Sequence, residues 1–226
     1  METYSQFGED RHIFEYFKKS DGVFVEIGAF HPVQLSQTFL LEQQGWSGVP
    51  IEPLPDLASL LRSTRPRSRV FECAVSSPAL SGTATMHRGE NDSLASLKPE
   101  AGGEQITVTT RTLDEILHEA NLPKIDFLSM DVEGFEMEVF SGFDLKRWQP
   151  SLILLEDHVH DLRKHRHMLK HGYKLVNRLG CNNWYVPASQ VWTGPRHTSA
   201  LGLFRKLYLA LPFRKLKFWI RGAATR

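Results

Sequence analysis

Short apolar segments alternate along this chain with amphipathic ones, and this alternation limits the folds that the sequence can adopt. Apolar runs bounded by turn residues predict buried strands, and the longer stretches between them predict helices. Seven strands are predicted, at residues 23–27, 48–52, 68–75, 125–130, 151–156, 173–176 and 184–186. Parallel strands need long crossovers, so the pattern indicates an α/β fold with a mainly parallel sheet and helices on both faces.

Helices are predicted at residues 8–19, 34–44, 57–62, 112–120, 135–140 and 160–170. Thr112 and Glu115 stand three residues apart at the start of the fourth helix, which is typical of a capping box. Residues 76–110 interrupt the pattern with prolines, glycines and brief alternating patches. They predict an antiparallel hairpin or excursion on the sheet.

The length suits one α/β domain, which we place at residues 1–190, followed by a compositionally separate tail at residues 191–226. Cys73 and Cys181 are the only cysteines, too few for a disulfide framework and without zinc-site spacing. The polar first ten residues resemble no signal peptide, and no apolar run reaches about 18 residues. We therefore expect a cytoplasmic protein.

The net charge of +1 conceals a strong asymmetry, because residues 162–226 contain 14 basic and no acidic side chains. Within the tail, residues 201–221 mix aromatic, aliphatic and basic side chains. This composition fits short amphipathic helices on an anionic membrane surface, here the inner face of the cytoplasmic membrane. Docking onto the acidic body of the same chain, or onto a second subunit, is the alternative. Nucleic acid is disfavoured because the cations are interspersed with bulky apolar groups.

Ligands of open α/β sheets bind at the carboxyl ends of the strands. Gly28 follows the first predicted strand and lets a ligand approach the backbone closely. Glu52 follows the second strand, where a carboxylate can accept both hydroxyls of an adenosine ribose. The second and third glycines of GxGxxG are absent from the first loop, which suits a nucleoside without a pyrophosphate. A merely structural tight turn remains the alternative.

Acidic side chains should meet where the fourth and fifth strands end. Asp131, Glu156 and Asp157 offer hard oxygen ligands, which suit Mg²⁺ or a similar divalent ion. Such an ion would bind an acceptor oxygen and lower its pKa. Without metal, His158 could act as the general base, since the ordinary pKa of histidine lies near neutral. A purely structural role for the group is the third possibility.

Several other polar groups have an alternative structural interpretation. His167 and His171 have metal-ligand spacing on a histidine-rich basic helix, but an exposed basic face is favoured. The segment 182–185 could hydrogen-bond and stack on a sugar, although Trp184 and Tyr185 equally suit a core strand. Asn91 to Ser93 could fold over a cofactor.

Five motifs together resemble the FkbM family of methyltransferases over about residues 4–187. They are Tyr4-Ser-Gln-Phe-Gly-Glu-Asp10, Phe24-Val-Glu-Ile-Gly-Ala29, Ile51-Glu-Pro53, Thr112-Leu-Asp-Glu115 and, the most specific, Ile125-Asp-Phe-Leu-Ser-Met-Asp-Val-Glu-Gly134. The resemblance implies a Rossmann-like class I methyltransferase sheet of order 3-2-1-4-5-7-6 with strand seven antiparallel. It also implies S-adenosylmethionine as cofactor, bound near Gln6, Glu26, Gly28, Ala29 and Glu52, with Ala74 facing the adenine.

The resemblance further implies O-methylation, mostly of sugars, glycolipids and polyketides. We therefore expect methyl transfer to a sugar hydroxyl of a polysaccharide, glycolipid or glycoside, with Asp131 and His158 as catalytic residues and a divalent metal assisting. The alternatives are a metal-independent O-methyltransferase with His158 as base on a small-molecule or lipid acceptor, and a non-catalytic nucleoside-binding scaffold. A nucleotide-dependent oxidoreductase is disfavoured by the missing glycines.

Overall fold

The computed structural model describes residues 2–88, 96–97, 103–159 and 161–214. Its strands are β1 (Val23–Ile27), β2 (Ser47–Ile51), β3 (Ala74–Val75), β4 (Gly82–Arg88), β5 (Glu104–Arg111), β6 (Phe127–Met130), β7 (Leu152–Glu156), β8 (Tyr173–Leu179) and β9 (Asn182–Pro187). Its α-helices are α1 (Glu9–Phe17), α2 (Phe39–Gln43), α3 (Pro55–Thr64), α4 (Leu113–Ala120), α5 (Glu136–Ser141), α6 (Leu145–Trp148), α7 (Arg163–Lys170) and α8 (Ala200–Phe204).

Six strands form the main sheet in the order β2-β1-β6-β7-β9-β8. β2, β1, β6 and β7 are mutually parallel, while β9 runs antiparallel to both β7 and β8. The α/β class and the antiparallel last strand are thus confirmed. Because β2, β1, β6 and β7 point the same way, their carboxyl ends lie along one edge.

The prediction that residues 68–75 form a strand of this sheet is wrong in detail. Residues 68–71 meet β2 only through two isolated bridges, and β3 pairs instead with β5 in a second sheet of order β3-β5-β4. The N–H groups of Arg69 and Phe71 donate hydrogen bonds to carbonyls of β2. The nitrogen of Pro50 lies between the two accepting carbonyls and carries no hydrogen, so the hydrogen bond that β2 would donate in return is missing. The predicted hairpin is confirmed as the antiparallel pair β4 and β5.

Local signals explain where the helices begin. The capping box at α4 is present, since Thr112 accepts from the Glu115 backbone and the Glu115 side chain accepts from the Thr112 backbone. The helix predicted at residues 34–44 is shorter than expected, because residues 36–38 direct their polar groups to Glu26. α2 therefore begins only at Phe39.

The sheet is covered by apolar side chains on both faces. Val25, Leu128 and Ile153 lie in register across β1, β6 and β7 and belong to one core cluster. Phe24 and Phe127, one position earlier, belong to the cluster on the opposite face. A strand buried on both faces reads as a nearly continuous apolar run, which is why these strands were predictable.

The described part of the tail packs on the same chain. Leu207, in a π-helical turn that follows α8, is buried against Val159 and Leu162. The Tyr208 hydroxyl lies 3.3 Å from Nε2 of His165. Leu207 thus anchors this part of the tail to the domain of its own chain, while Leu201 and Leu209 stay exposed. Within the described residues, no helix is long and apolar enough to cross a membrane.

A buried ion pair joins α2 to the end of α3. Nε of Arg65 lies 2.5 Å from Oε2 of Glu42, and both side chains are buried. The same guanidinium donates to the Thr38 hydroxyl and to the Pro32 carbonyl. Arg65 thus fixes the loop that follows β1, which is the loop nearest the candidate site.

We expect Arg65→Met to destabilise the fold by about 3–5 kcal/mol, because the Glu42 carboxylate would stay buried without its cation. Arg62→Met is the matched control on the same helix. Its partner Glu72 is exposed, so the change should cost at most about 1 kcal/mol. Urea unfolding of both variants measures the difference, and equal losses would contradict the structural role given to Arg65.

Candidate active site

A cavity of about 350 Å³ opens at the carboxyl ends of β1, β2, β6 and β7. This size and place are typical of a ligand site in an α/β protein. Nine of the ten site residues predicted from the sequence line it, namely Gln6, Glu26, Gly28, Ala29, Glu52, Ala74, Asp131, Glu156 and His158. Asp157 is the exception.

Gly28 makes the turn out of β1 possible. Its φ is +76°, and an added Cβ would lie 2.0 Å from the Asp131 carbonyl oxygen. Its N–H donates to Ile51, and the Asp131 N–H donates to Ile27. The carboxyl ends of β1, β2 and β6 are therefore joined through backbone contacts at a point where only glycine fits.

Glu52 enters the cavity directly after β2. Its two carboxylate oxygens accept hydrogen bonds from the backbone N–H groups of Phe30 and Leu54, at 2.8 and 2.9 Å. Burial raises the pKa of Glu52 to about 7, and these two hydrogen bonds only partly offset it. Each oxygen keeps a lone pair that can accept a ligand hydroxyl.

Glu26 lines the cavity, as predicted, and also holds the loop that follows β1. One of its oxygens accepts from the Gln37 N–H at 3.0 Å and the other from the Thr38 hydroxyl at 2.5 Å. Burial raises the pKa of Glu26, although the nearby Arg65 lowers it. The carboxylate thus organises the loop after β1 while lining the cavity floor.

The wall beside β3 is mainly apolar. Cys73, Ala74 and Val75 are buried there, and Phe30 and Met86 complete the surface. Burial raises the pKa of the Cys73 thiol to about 12, so this cysteine is inert. An apolar wall next to Glu52 suits the flat face of an adenine, as predicted for Ala74.

Three carboxylates converge at the other side of the cavity. Asp131, Glu133 and Glu156 each place an oxygen so that all three lie within 4.8 Å of one another. Oδ1 of Asp131 is buried and accepts no hydrogen bond within the described part of the chain. Burial, followed by the charges of Glu156 and Glu133, raises the pKa of Asp131 well above its ordinary value. A cation placed among these oxygens would relieve that repulsion.

Glu133 was not among the site residues predicted from the sequence, although it belongs to the acidic group. It follows β6 in a turn where Glu133 and Gly134 both have positive φ, 50° and 93°. The Phe135 N–H closes that turn on the Val132 carbonyl, as in a type I′ turn. The Glu-Gly pair shortly after a predicted strand could have indicated this turn. The turn keeps Glu133 beside the strand end.

The structure does not bring Asp157 into the acidic group, contrary to the prediction. Its oxygens accept from the Val159 N–H and the Asn183 amide, and Lys164 lies 3.4 Å away. Successive residues of a strand point to opposite faces, so the neighbour of Glu156 is directed into the core. Asp157 is buried and hydrogen-bonded within the fold, so its role is structural.

His158 lies at the cavity rim with most of its side chain exposed. Its Nε2 is 3.4 Å from a carboxylate oxygen of Glu156. A histidine so placed can take a proton from a group bound in the cavity while the carboxylate orients the ring. The predicted catalytic pair of Asp131 and His158 thus shares one cavity.

The remaining predicted groups fall into two sets. Trp184 and Tyr185 are completely buried in the core, so they cannot stack on a sugar, whereas Asn182 lines the cavity and donates to Glu9. His167 stacks on Phe140, and burial lowers its pKa to about 4. Asn91, Asp92 and Ser93 lie outside the described residues.

The sequence profile of the Methyltransferase FkbM domain matches residues 26–175, about two thirds of the chain. The chain belongs to the FkbM methyltransferase family. This match includes the Gly28 turn, Glu52 and the three converging carboxylates. The matched region is therefore a methyltransferase domain of the FkbM type. A search of the curated proteins finds no significant match.

Two solved methyltransferase structures superpose on this chain. A methyltransferase FkbM from Methylobacillus flagellatus superposes with a TM-score of 0.51 at 16% identity, covering 77% of this chain and 47% of that protein. This chain thus spans about half the length of that relative. A precorrin-6y C5,15-methyltransferase from Geobacter metallireducens gives a TM-score of 0.46 at 12% identity, covering 82% and 92% of the two chains.

We expect Gly28→Ala to disrupt the site, because the new methyl group would displace the Asp131 carbonyl. Gly172→Ala is the control, since Gly172 has a similar φ of +80° but no described atom within 4 Å of an added Cβ. Backbone strain alone should cost each variant about 1–2 kcal/mol. Gly28→Ala should lose at least about 2 kcal/mol more in urea unfolding. Equal stability of the two variants would show that the contact is unimportant.

Cofactor affinity should depend on the ionisation of Glu52. With a pKa of about 7, the free protein is largely protonated there at pH 6 and largely ionised at pH 8. Only the carboxylate accepts two ribose hydroxyls, so S-adenosylhomocysteine should bind about 10-fold more tightly at pH 8. Isothermal titration across this range measures the effect. Glu52→Gln should bind weakly with a flat profile, and an unchanged pH dependence in that variant would assign the titration elsewhere.

Proposed function

We propose that this chain transfers a methyl group from S-adenosylmethionine to a hydroxyl of a sugar, with a divalent metal bound by Asp131, Glu133 and Glu156. One observation carries the proposal, namely that a single cavity contains both Glu52 and this acidic group. Glu52 and Glu156 follow strands three positions apart in the sheet, about 14 Å from one another. A nucleoside and an acceptor can therefore lie side by side between them.

The residues on the Glu52 side fit the cofactor. The Gly28 turn lacks the glycines that cradle a pyrophosphate, and the Glu52 carboxylate has lone pairs left for two hydroxyls. The apolar wall at Ala74 suits an adenine face. When bound, the cofactor supplies a methyl group that its positively charged sulfur already activates.

The residues on the other side fit a divalent cation. Carboxylates are the hard oxygen ligands that Mg²⁺ and Mn²⁺ prefer, and the buried Oδ1 of Asp131 accepts no hydrogen bond in the described part of the chain. A cation bound there would lower the pKa of an acceptor hydroxyl. The protein itself contributes position, because three strand-end carboxylates fix where that oxygen lies.

His158 supports a second version of the same chemistry without metal. Its Nε2 lies 3.4 Å from Glu156, so the pair can accept the hydroxyl proton at the imidazole while the carboxylate stabilises the resulting cation. The proton then leaves through the exposed face of the ring. In this version a small-molecule or lipid hydroxyl could also be the acceptor.

Amide groups at the cavity favour a polyhydroxylated acceptor. Gln6, Gln37 and Asn182 line the cavity, and each amide can both donate to and accept from a hydroxyl. Together with the resemblance that implies sugar acceptors, this supports a polysaccharide, glycolipid or glycoside as the acceptor class.

We expect the protein to transfer isotopically labelled methyl groups to members of a glycoside panel, with the label found on oxygen by mass spectrometry. Chelation should abolish turnover, and Mg²⁺ or Mn²⁺ should restore it. Mn²⁺ binding, followed by electron paramagnetic resonance without any acceptor, should be lost in Asp131→Asn and Glu133→Gln. Asp157→Asn should retain it, because Asp157 is directed into the core.

Full activity in the presence of a chelator would refute the metal version and leave His158 as the base, in which case His158→Gln should lose activity. Absence of S-adenosylhomocysteine binding would refute the methyl-transfer proposal altogether. Tight binding of a nicotinamide dinucleotide would favour an oxidoreductase instead.

A further inference from the structure

The tail presents a mixed apolar and basic surface that the candidate active site does not use. Arg205, Lys206, Leu209 and Phe213 line one open depression of about 590 Å³ on the outside of the molecule. We call these four residues the tail surface. They follow α8 in a π-helical turn and the segment after it.

The tail surface is exposed although the same segment is anchored to the domain. Leu207 is buried against Val159 and Leu162, whereas Leu209 is 57% and Phe213 74% exposed. Leu201, on the preceding helix, is 68% exposed. Single exposed apolar side chains are common on protein surfaces, but several of them on one short segment are typical of an interaction surface.

The charge of the tail surface is not balanced by its own segment. Residues 162–226 contain no aspartate or glutamate, and the basic run continues along the sequence through Lys215, Lys217 and Arg221. The complementary partner must therefore combine negative charge with an apolar layer. A nucleic acid offers the charge but no apolar layer, so it does not match the exposed leucine and phenylalanine.

We propose that the tail surface binds the face of an anionic phospholipid bilayer. Arg205 and Lys206 contact lipid phosphates, while Leu209 and Phe213 enter the boundary between headgroups and acyl chains. A second copy of the chain fits less well, because a two-fold contact would bring the same cations face to face. In this arrangement the segment lies along the membrane surface.

Such binding would place the membrane beside the cavity. Leu207 contacts Val159, and Val159 directly follows His158, which lines the cavity rim. An acceptor sugar attached to a lipid would then approach the site along the bilayer face. This last step rests on the proposed function, whereas membrane binding itself does not.

Vesicle sedimentation tests the proposal with the full chain and no acceptor. The protein should bind vesicles of phosphatidylcholine with 30% phosphatidylglycerol and should hardly bind pure phosphatidylcholine. Arg205→Gln with Lys206→Gln should weaken binding to the anionic vesicles about 30-fold, because each cation near the surface contributes about one factor of five. Lys18→Gln with Lys146→Gln makes the same charge change elsewhere, and this control should bind like the unaltered protein.

A second variant separates the apolar contribution from the charge. Leu209→Ser with Phe213→Ser should weaken binding while leaving its salt dependence unchanged, whereas the charge variant should show a weaker salt dependence. An unchanged circular dichroism spectrum and urea-unfolding midpoint verify that each variant is folded. Equal binding to neutral and anionic vesicles, or equal loss in the control pair, would overturn the proposal. The proposal would also be overturned if the protein formed a dimer in solution that Phe213→Ser dissociates and if that dimer did not bind vesicles.

Discussion

The site depends on the close approach between Gly28 and the carbonyl of Asp131. Three backbone hydrogen bonds converge there, from Gly28 and Ala29 to Ile51 and from Asp131 to Ile27. They hold the ends of three strands at fixed separation, which sets where the side chains of Glu52 and Asp131 can reach. A hydrogen-bonded backbone junction tolerates little displacement. Glu52 and Asp131, which are far apart in the sequence, are therefore held in fixed positions before a ligand binds.

Burying so many carboxylates at one sheet edge requires compensation, and the chain provides it in two different ways. Glu42 is neutralised by Arg65, and Glu26 is satisfied by the loop that Arg65 fixes. Both carboxylates therefore have partners within the fold. Asp131 has no such compensation in the described part of the chain, since its nearest charged neighbours are also acidic. The contrast distinguishes carboxylates that build the fold from those available to a ligand.

Sequence reasoning located the site well because strands buried on both faces are long apolar runs and their ends are therefore visible. Gly28, Glu52, Asp131 and Glu156 were found in this way. The pairing of residues 68–75 could not be found, because one absent N–H at Pro50 decides it. The choice between Glu133 and Asp157 was also hidden. It depends on the direction of side chains in a positive-φ turn and at a strand end, which apolar periodicity does not report.

Lys164 places a cation next to the elements that carry the acidic group. Its ammonium donates to the Glu156 carbonyl at 2.9 Å and lies 3.3 Å from Glu136 and 3.4 Å from Asp157. Glu136 in turn accepts from the Gly134 N–H, so the cation stabilises the turn that carries Glu133. Lys164 contacts the backbone carbonyl of Glu156 rather than its carboxylate, so it stabilises the strand end that carries this acidic side chain. Lys164 thus fixes the backbone and the turn that carry Glu156 and Glu133, whose oxygens lie within 4.8 Å of Asp131 where we propose a divalent cation.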